Sequence, residues 1–201
     1  MTSTAAVQPE LAVALAAVRS ASMLTTHAQG RLLAGDTLAK SDDSPVTVAD
    51  FAAQAIVCAT LTESLGALDL VGEEDSDDLR SPERAALRQG VVDLVRRQRD
   101  DNVGAATVLD WIAVGSADGT TDRYWTLDPI DGTKGFLRGE QYAIALALLE
   151  RGEVILGVLG CPNLPNPDGT IGAIFAATDG MCQAWYGPAI DPIPIRAAST
   201  A

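Results

Sequence analysis

The sequence is poor in aromatics, basic residues and cysteine. Aromatic side chains make up 4% of its 201 residues, so Ala, Val and Leu must fill the core. Lys and Arg together number 14 against 27 Asp and Glu, a formal charge of −13. A field of that sign repels a phosphate backbone, which argues against a nucleic-acid polymer as partner. It suits a protein that gathers divalent cations. The three cysteines, Cys58, Cys161 and Cys182, are odd in number and show no CxxC spacing. That pattern argues against a disulfide framework and against a structural zinc site. No stretch combines the length and purity of a membrane span. The opening MTSTAAVQPE lacks the basic and apolar regions of a secretory signal. The expectation is a soluble, cytoplasmic protein with no membrane partner. Internal repeats and low-complexity tracts are also missing.

What is present is ordinary globular composition, 47% apolar and 20% charged. A chain of this size buries roughly 70% of the surface its unfolded form exposes. Pro9 and Glu10 suit the first turn of a helix running to about Leu33, with Leu11, Leu15 and Val18 on one face. A polar loop, GDTLAKSDDSP, follows. A second helix is expected over residues 47–65, with Phe51, Ala55, Cys58, Thr62 and Leu65 at helical spacing. Residues 69–71 read as a short strand entering the acidic loop GEEDSDD. Ser81 and Pro82 open another helix as N-cap and first residue, with Leu87, Val91 and Leu94 as its stripe. A short helix fits residues 106–114.

The second half changes character. Residues 123–127 read as a strand, and DPIDGTKG as a turn into a short helix. Apolar runs at 142–149 and 154–159 form a hairpin about the turn at 150–153. CPNLPNPDG reads as a Pro-rich loop. Residues 171–177 and 181–186 form a second hairpin about Thr178, Asp179 and Gly180. Helices first and antiparallel strands later is the order of an α+β layered fold. The expected architecture is two helices packed on a mostly antiparallel sheet over residues 1–187. Residues 188–201 are expected to be an extended tail.

The strongest chemical signal is Asp128-Pro129-Ile130-Asp131-Gly132-Thr133-Lys134-Gly135, directly after a strand. Two carboxylates three apart at a strand end can hold a hard cation such as Mg²⁺ through oxygen. Gly132 and Gly135 allow close backbone approach, and a helix opening here offers N–H groups to an anion. Alone, DxxDG is most often a turn with an Asp cap. Two further acidic sites lie upstream: Asp50 at a helix start, and Glu73 with Glu74 after a strand. Singly, Asp50 reads as a first-turn acid favoured by the helix dipole and GEEDSDD as a solvated loop. The combination of helix-start Asp, strand-end Glu and strand-end DPIDGT is the specific feature.

On SPVTVADFAAQ, VGEED and WTLDPIDGTKGFLRGEQYAIALALLERGEVILGVLGCPNLP, the chain resembles the inositol monophosphatase superfamily. These are lithium-sensitive, Mg²⁺-dependent phosphatases. Within it, KGFLRGEQYA is similar to the 3'(2'),5'-bisphosphate nucleotidases. Those enzymes remove the 3'-phosphate of adenosine 3',5'-bisphosphate (PAP) and act on its sulfated form. The resemblance spans residues 9–185. It implies two or three Mg²⁺ ions. Glu73, Asp128 and the backbone carbonyl of Ile130 would hold the first, and Asp128 with Asp131 the second. Asp50 and Thr133 would orient and deprotonate the attacking water. The backbone N–H groups of Gly132 and Thr133 would bind the scissile phosphate. Phosphoryl transfer requires charge neutralisation and positioning above all, and a Thr hydroxyl needs a carboxylate partner to act as a base.

Weaker assignments surround this set. Glu74 reads as a supporting contact or a solvated acid, and Lys134 as a phosphate contact or a balancing charge. His27, the single histidine, is expected at a surface far from the motifs, and Cys161 in packing. The family's second α/β domain carries a Trp-Asp motif that completes the second metal site. Here that motif is missing, and Asp110-Trp111 has the reverse order. The expectation is therefore a C-terminally truncated member with weak activity or none alone. It would tend to associate through the surface the missing domain leaves. The alternatives are an inositol phosphate phosphatase of the same fold and a non-catalytic metal-binding form.

Overall fold

Residues 48–59 are apolar on nearly every side, interrupted by Asp50 and Gln54. A helix of that kind needs cover all round. In the computed structural model, which describes residues 8–35, 45–99, 102–178, 180–187 and 193–195, it has that cover. Helix α2 (Pro45–Leu65) lies between helix α1 (Gln8–Leu33), strand β2 (Arg123–Asp131), and helices α4 (Ala85–Gln98) and α5 (Ala105–Ala113). The single face expected from Phe51, Ala55 and Cys58 is thus too narrow. Val48, Ala52, Ala53, Ile56, Val57 and Leu61 are just as buried. By length and composition both α1 and α2 reach the mark for a membrane span, which corrects the reading that no stretch does. Their apolarity is used in packing: α1 rests on α2 and on the sheet, and α2 is enclosed.

Small residues set the fit of α1. Its buried face is Ala14, Ala17, Val18, Ala21, Leu24 and Ala28, with Leu11 and Leu15 half-buried at the margin. Gly160 lies beneath it on strand β4 (Glu153–Pro165). A Cβ there would meet Ser22 Oγ at 2.5 Å and Val18 Cγ1 at 2.7 Å.

Among the described residues the sheet has seven strands in sequence order. β1 (Leu70–Val71) runs parallel to β2. β2, β3 (Ala143–Glu150), β4, β5 (Ile171–Thr178), β6 (Met181–Tyr186) and β7 (Ile193–Ile195) are successively antiparallel. Both expected hairpins are present, and the β3–β4 turn places Arg151 and Gly152 at positive φ. This is the α+β layering expected of the sequence.

Several details differ. The DPID segment continues β2 instead of turning. β4 runs on through Cys161 to Pro165, taking up the first part of the expected Pro-rich loop. GEEDSDD is not all loop, because Ser76–Arg80 forms helix α3, capped by the Asp75 carboxylate accepting from the Asp77 N–H at 2.9 Å. Ser81 caps a short 3-10 turn, Pro82–Arg84, and α4 begins only at Ala85. Part of the expected tail is β7. The remainder of that tail, the loop at 36–44 and Asp179 lie outside the described residues.

The sheet face turned away from α1 and α2 carries Ala145, Ala147, Gly157, Ala177 and Cys182. They line an open groove of about 350 Å³ that ends at Asp128.

The contact at Gly160 is directly testable. Gly160→Ala should lower stability to chemical denaturation by about 1–3 kcal/mol, the usual range for overpacking. Gly157→Ala, where a Cβ meets nothing within 4 Å, should stay within about 0.5 kcal/mol of wild type.

Candidate active site

Strand register brings the acidic motifs together. In the parallel pair, Leu70 lies opposite Trp125 and Val71 opposite Thr126. Two residues beyond this pairing come Glu73 on one chain segment and Asp128 on the other. The loop after β1 is tied down as it leaves the sheet: the Gly72 N–H donates to the Gly115 carbonyl at 2.8 Å.

Asp128 and Asp131 would point to opposite faces of a regular strand, since side chains alternate with period two. The register of β2 on β3 shifts between these two residues. An extra residue in a bulge resets the alternation and turns both carboxylates to one side. Pro129 has no N–H for the ladder, and a bulge is where a strand tolerates it. The Asp128 carboxylate accepts from the Ile130 N–H at 3.1 Å, which fixes its direction.

Helix α6 (Thr133–Arg138) begins at once. Gly132 starts it in the left-handed region at φ 94°. Gly135 admits no side chain, because a Cβ would sit 1.8 Å from the Gln141 carbonyl oxygen. Phe136 is buried edge-on against Tyr142 with ring centroids 5.1 Å apart, and the Gln29 Nε2 donates to its carbonyl at 2.8 Å. Thr133 and Lys134 are left exposed at the head of the helix.

Asp50 comes from the second turn of α2, which packs against both β2 and α6. Its carboxyl is pushed up to about 8 by burial, then by the charges of Glu74, Glu73 and Asp128. Glu74 is pushed up to about 7 by burial, then by Glu73, Asp78 and Asp128. Asp128 is raised by burial, by the charge of Glu73 and a carboxyl–carboxyl hydrogen bond with it, and by Asp131. These shifts show Asp50, Glu73, Glu74, Asp128 and Asp131 sharing one electrostatic neighbourhood. Arg80, Arg99 and Arg123 make their ion pairs with other acids, namely Asp77 and Asp110, Glu63, and Glu10 and Glu150. Among the described residues no three acidic, histidine or cysteine side chains already converge tightly enough to hold an ion.

The donor set nonetheless fits a hard cation. It is all oxygen and anionic. Glu73, Asp128 and Asp131 could hold such an ion, with Asp50 and Glu74 alongside.

The structure therefore gathers the predicted acids and raises the standing of Glu74, which is half-buried. No hydrogen bond joins Asp50 to Thr133 among the described residues. His27 is exposed on α1, away from the cluster. Cys161 is half-buried with its thiol raised by burial, which does not favour a nucleophile. Sequence reasoning missed Gln54. It is fully buried and holds the Glu74 backbone. The available signal was a polar residue four positions after Asp50 in an otherwise apolar run.

A sequence profile described as the inositol monophosphatase family matches residues 6–199. The 3'(2'),5'-bisphosphate nucleotidase 1 of Candida albicans is 40% identical over 195 residues, covering 87% of this chain and 53% of that protein. The enzyme of that name from Arabidopsis thaliana is 42% identical over 196 residues, covering 87% and 56%. The Schizosaccharomyces pombe 3'(2'),5'-bisphosphate nucleotidase is 45% identical over 170 residues, covering 78% and 48%. The chain thus spans about half the length of the curated relatives it matches. Among solved structures, CysQ from Bacteroides thetaiotaomicron shares the fold with a TM-score of 0.53 at 20% identity, covering 90% of this chain and 50% of that one. An Anabaena inositol monophosphatase gives 0.52 at 18%, covering 89% and 47%.

The crowding of acids predicts an unusual pH dependence. Asp50 and Glu74 hold protons in the folded, metal-free protein that the unfolded chain has already released. Stability should therefore fall as pH rises from about 4 through about 8. Thermal denaturation in chelator should show that decline, with a shallower slope in Asp50→Asn. A melting temperature that is flat or rises across the window would contradict it.

Proposed function

The chain belongs to the inositol monophosphatase family, and on that premise we propose that it carries the cation-binding part of a phosphatase site acting on a bisphosphorylated nucleoside. The substrate is adenosine 3',5'-bisphosphate, which loses its 3'-phosphate, and the sulfated analogue is handled in the same way. The names of the relatives at 40–45% identity support that substrate over an inositol phosphate. The cation is Mg²⁺, and Li⁺ antagonises it. The single observation carrying the reading is the parallel pairing of β1 with β2, whose ends lead into Glu73 and Asp128.

Roles follow from position. Glu73, Asp128, Asp131 and the Ile130 carbonyl hold the cations. A cation held there would supply neutralisation of phosphate charge and a nucleophilic water at neutral pH. The backbone N–H groups of Gly132 and Thr133, at the open end of α6, orient the phosphate oxygens. The Thr133 hydroxyl aligns the water, and Asp50 accepts its proton. Asp50 can do so at neutral pH only when its carboxyl is lowered from about 8. Offsetting the charges of Glu73 and Asp128 has that effect. Free thiols at Cys58, Cys161 and Cys182 fit work in the reducing cytoplasm.

Phosphate release by the purified chain tests this reading. The expected result is weak, Mg²⁺-dependent release from the adenosine bisphosphate in preference to inositol monophosphates. Millimolar-scale Li⁺ should suppress it, and Asp128→Ala should abolish it. Release that survives Asp128→Ala, or that favours inositol monophosphate, would overturn the assignment.

A further inference from the structure

Resting on the cation-site reading above, we propose that Gln54 is the positioning residue that holds Glu73 and Glu74 against Asp50 and Asp128. Gln54 is four residues after Asp50, so the two share one face of α2. Its side chain is fully buried. Oε1 accepts from the Glu74 N–H at 3.0 Å, and Nε2 donates to the Glu74 carbonyl at 2.7 Å. The same Nε2 donates to the Ile112 carbonyl, 3.1 Å away at the end of α5. The amide therefore grips one residue by both backbone groups, as a neighbouring strand would, and pins it to a second helix.

The chain closes tightly over this grip. A Cβ at Gly72 would lie 2.6 Å from Gln54 Oε1, and one at Gly115 would lie 2.5 Å from Nε2. Two glycines flank the amide from separate segments, and their N–H and carbonyl bond to each other at 2.8 Å. Gly72 directly precedes Glu73. Only a side-chain amide of this length supplies both an acceptor and two donors here. Glutamate keeps the shape and loses the donors, while methionine keeps the length and loses both. Either change takes this donor from the Glu74 carbonyl and frees the loop from α5, where the Ile112 carbonyl keeps only the Gly115 N–H at 2.9 Å. Gln54 touches no reacting atom in this scheme. It acts through the loop that carries the acids.

The test is Mn²⁺ binding to the full chain, followed by the paramagnetic signal of the free ion, with folded protein confirmed by circular dichroism. Wild type, Gln54→Met, Gln54→Glu and Gly160→Ala are compared. Gly160→Ala weakens packing against Val18 and Ser22 of α1, two strands from Asp128 and without contact to the Gln54 amide, and serves as the stability control. Loss of a residue that orients metal ligands should weaken affinity by about 10- to 100-fold. The expected result is that loss in Gln54→Met and wild-type affinity in Gly160→Ala. If Gln54→Met does not fold, Gln54→Glu supplies the comparison, and Gly115→Ala reaches the same amide from the other side. Wild-type affinity in the folded Gln54 variants would overturn the inference while leaving the cation site standing. Absence of Mn²⁺ binding by wild type would overturn the cation site itself, and the inference with it.

Discussion

Carboxylates that repel one another are held together here by backbone geometry. Beyond burial, the charges of Glu73 and Asp128 raise the proton affinity of Asp50 and Glu74, and Glu73 does the same to Asp128. Their closeness must be imposed from outside the cluster. The parallel pairing of β1 with β2 fixes one distance, the bulge at Pro129 and Ile130 another, and the enclosed α2 a third. Each is anchored by apolar burial away from the acids: Leu70 and Trp125 in the sheet, Ile56 and Leu61 on α2, Phe136 beneath α6. The core stores the repulsion, which a divalent cation at the proposed site would relieve.

Much of this was legible in the sequence. The α1 and α2 spans, the two hairpins and the α+β order follow from periodicity and turn residues. The acids themselves stood out by type and position. What was not legible shares one physical cause, which is dependence on non-local pairing. The GEEDSDD run looks solvated because its charge density is high. Glu74 becomes half-buried only when β1 lies beside β2 and Gln54 takes hold of its backbone. The DPID segment reads as a turn because Pro and Gly usually mark one, yet β3 continues to pair along it. The width of the buried surface on α2 is likewise unreadable from a helical wheel. The wheel marks where large side chains recur, and the alanines Ala49, Ala52 and Ala53 are buried because neighbours approach closely on every side.

The division of labour within the fold is clear at the ends of β1 and β2. This chain supplies negative charge from three elements and backbone N–H groups from a fourth, α6. Near Asp128 the open sheet face is apolar, lined by Ala145, Ala147, Gly157, Leu159, Phe175 and Ala177.

The central claim is that the gathered carboxylates form a cation site, and locating the ion tests it most directly. A crystal of the full chain grown with Mn²⁺ and measured at the manganese absorption edge would show the ion by its anomalous signal. The account predicts a peak between the Glu73 and Asp128 carboxylates, within oxygen-ligand distance of both. A peak elsewhere, or none at a concentration that saturates binding in solution, would contradict it.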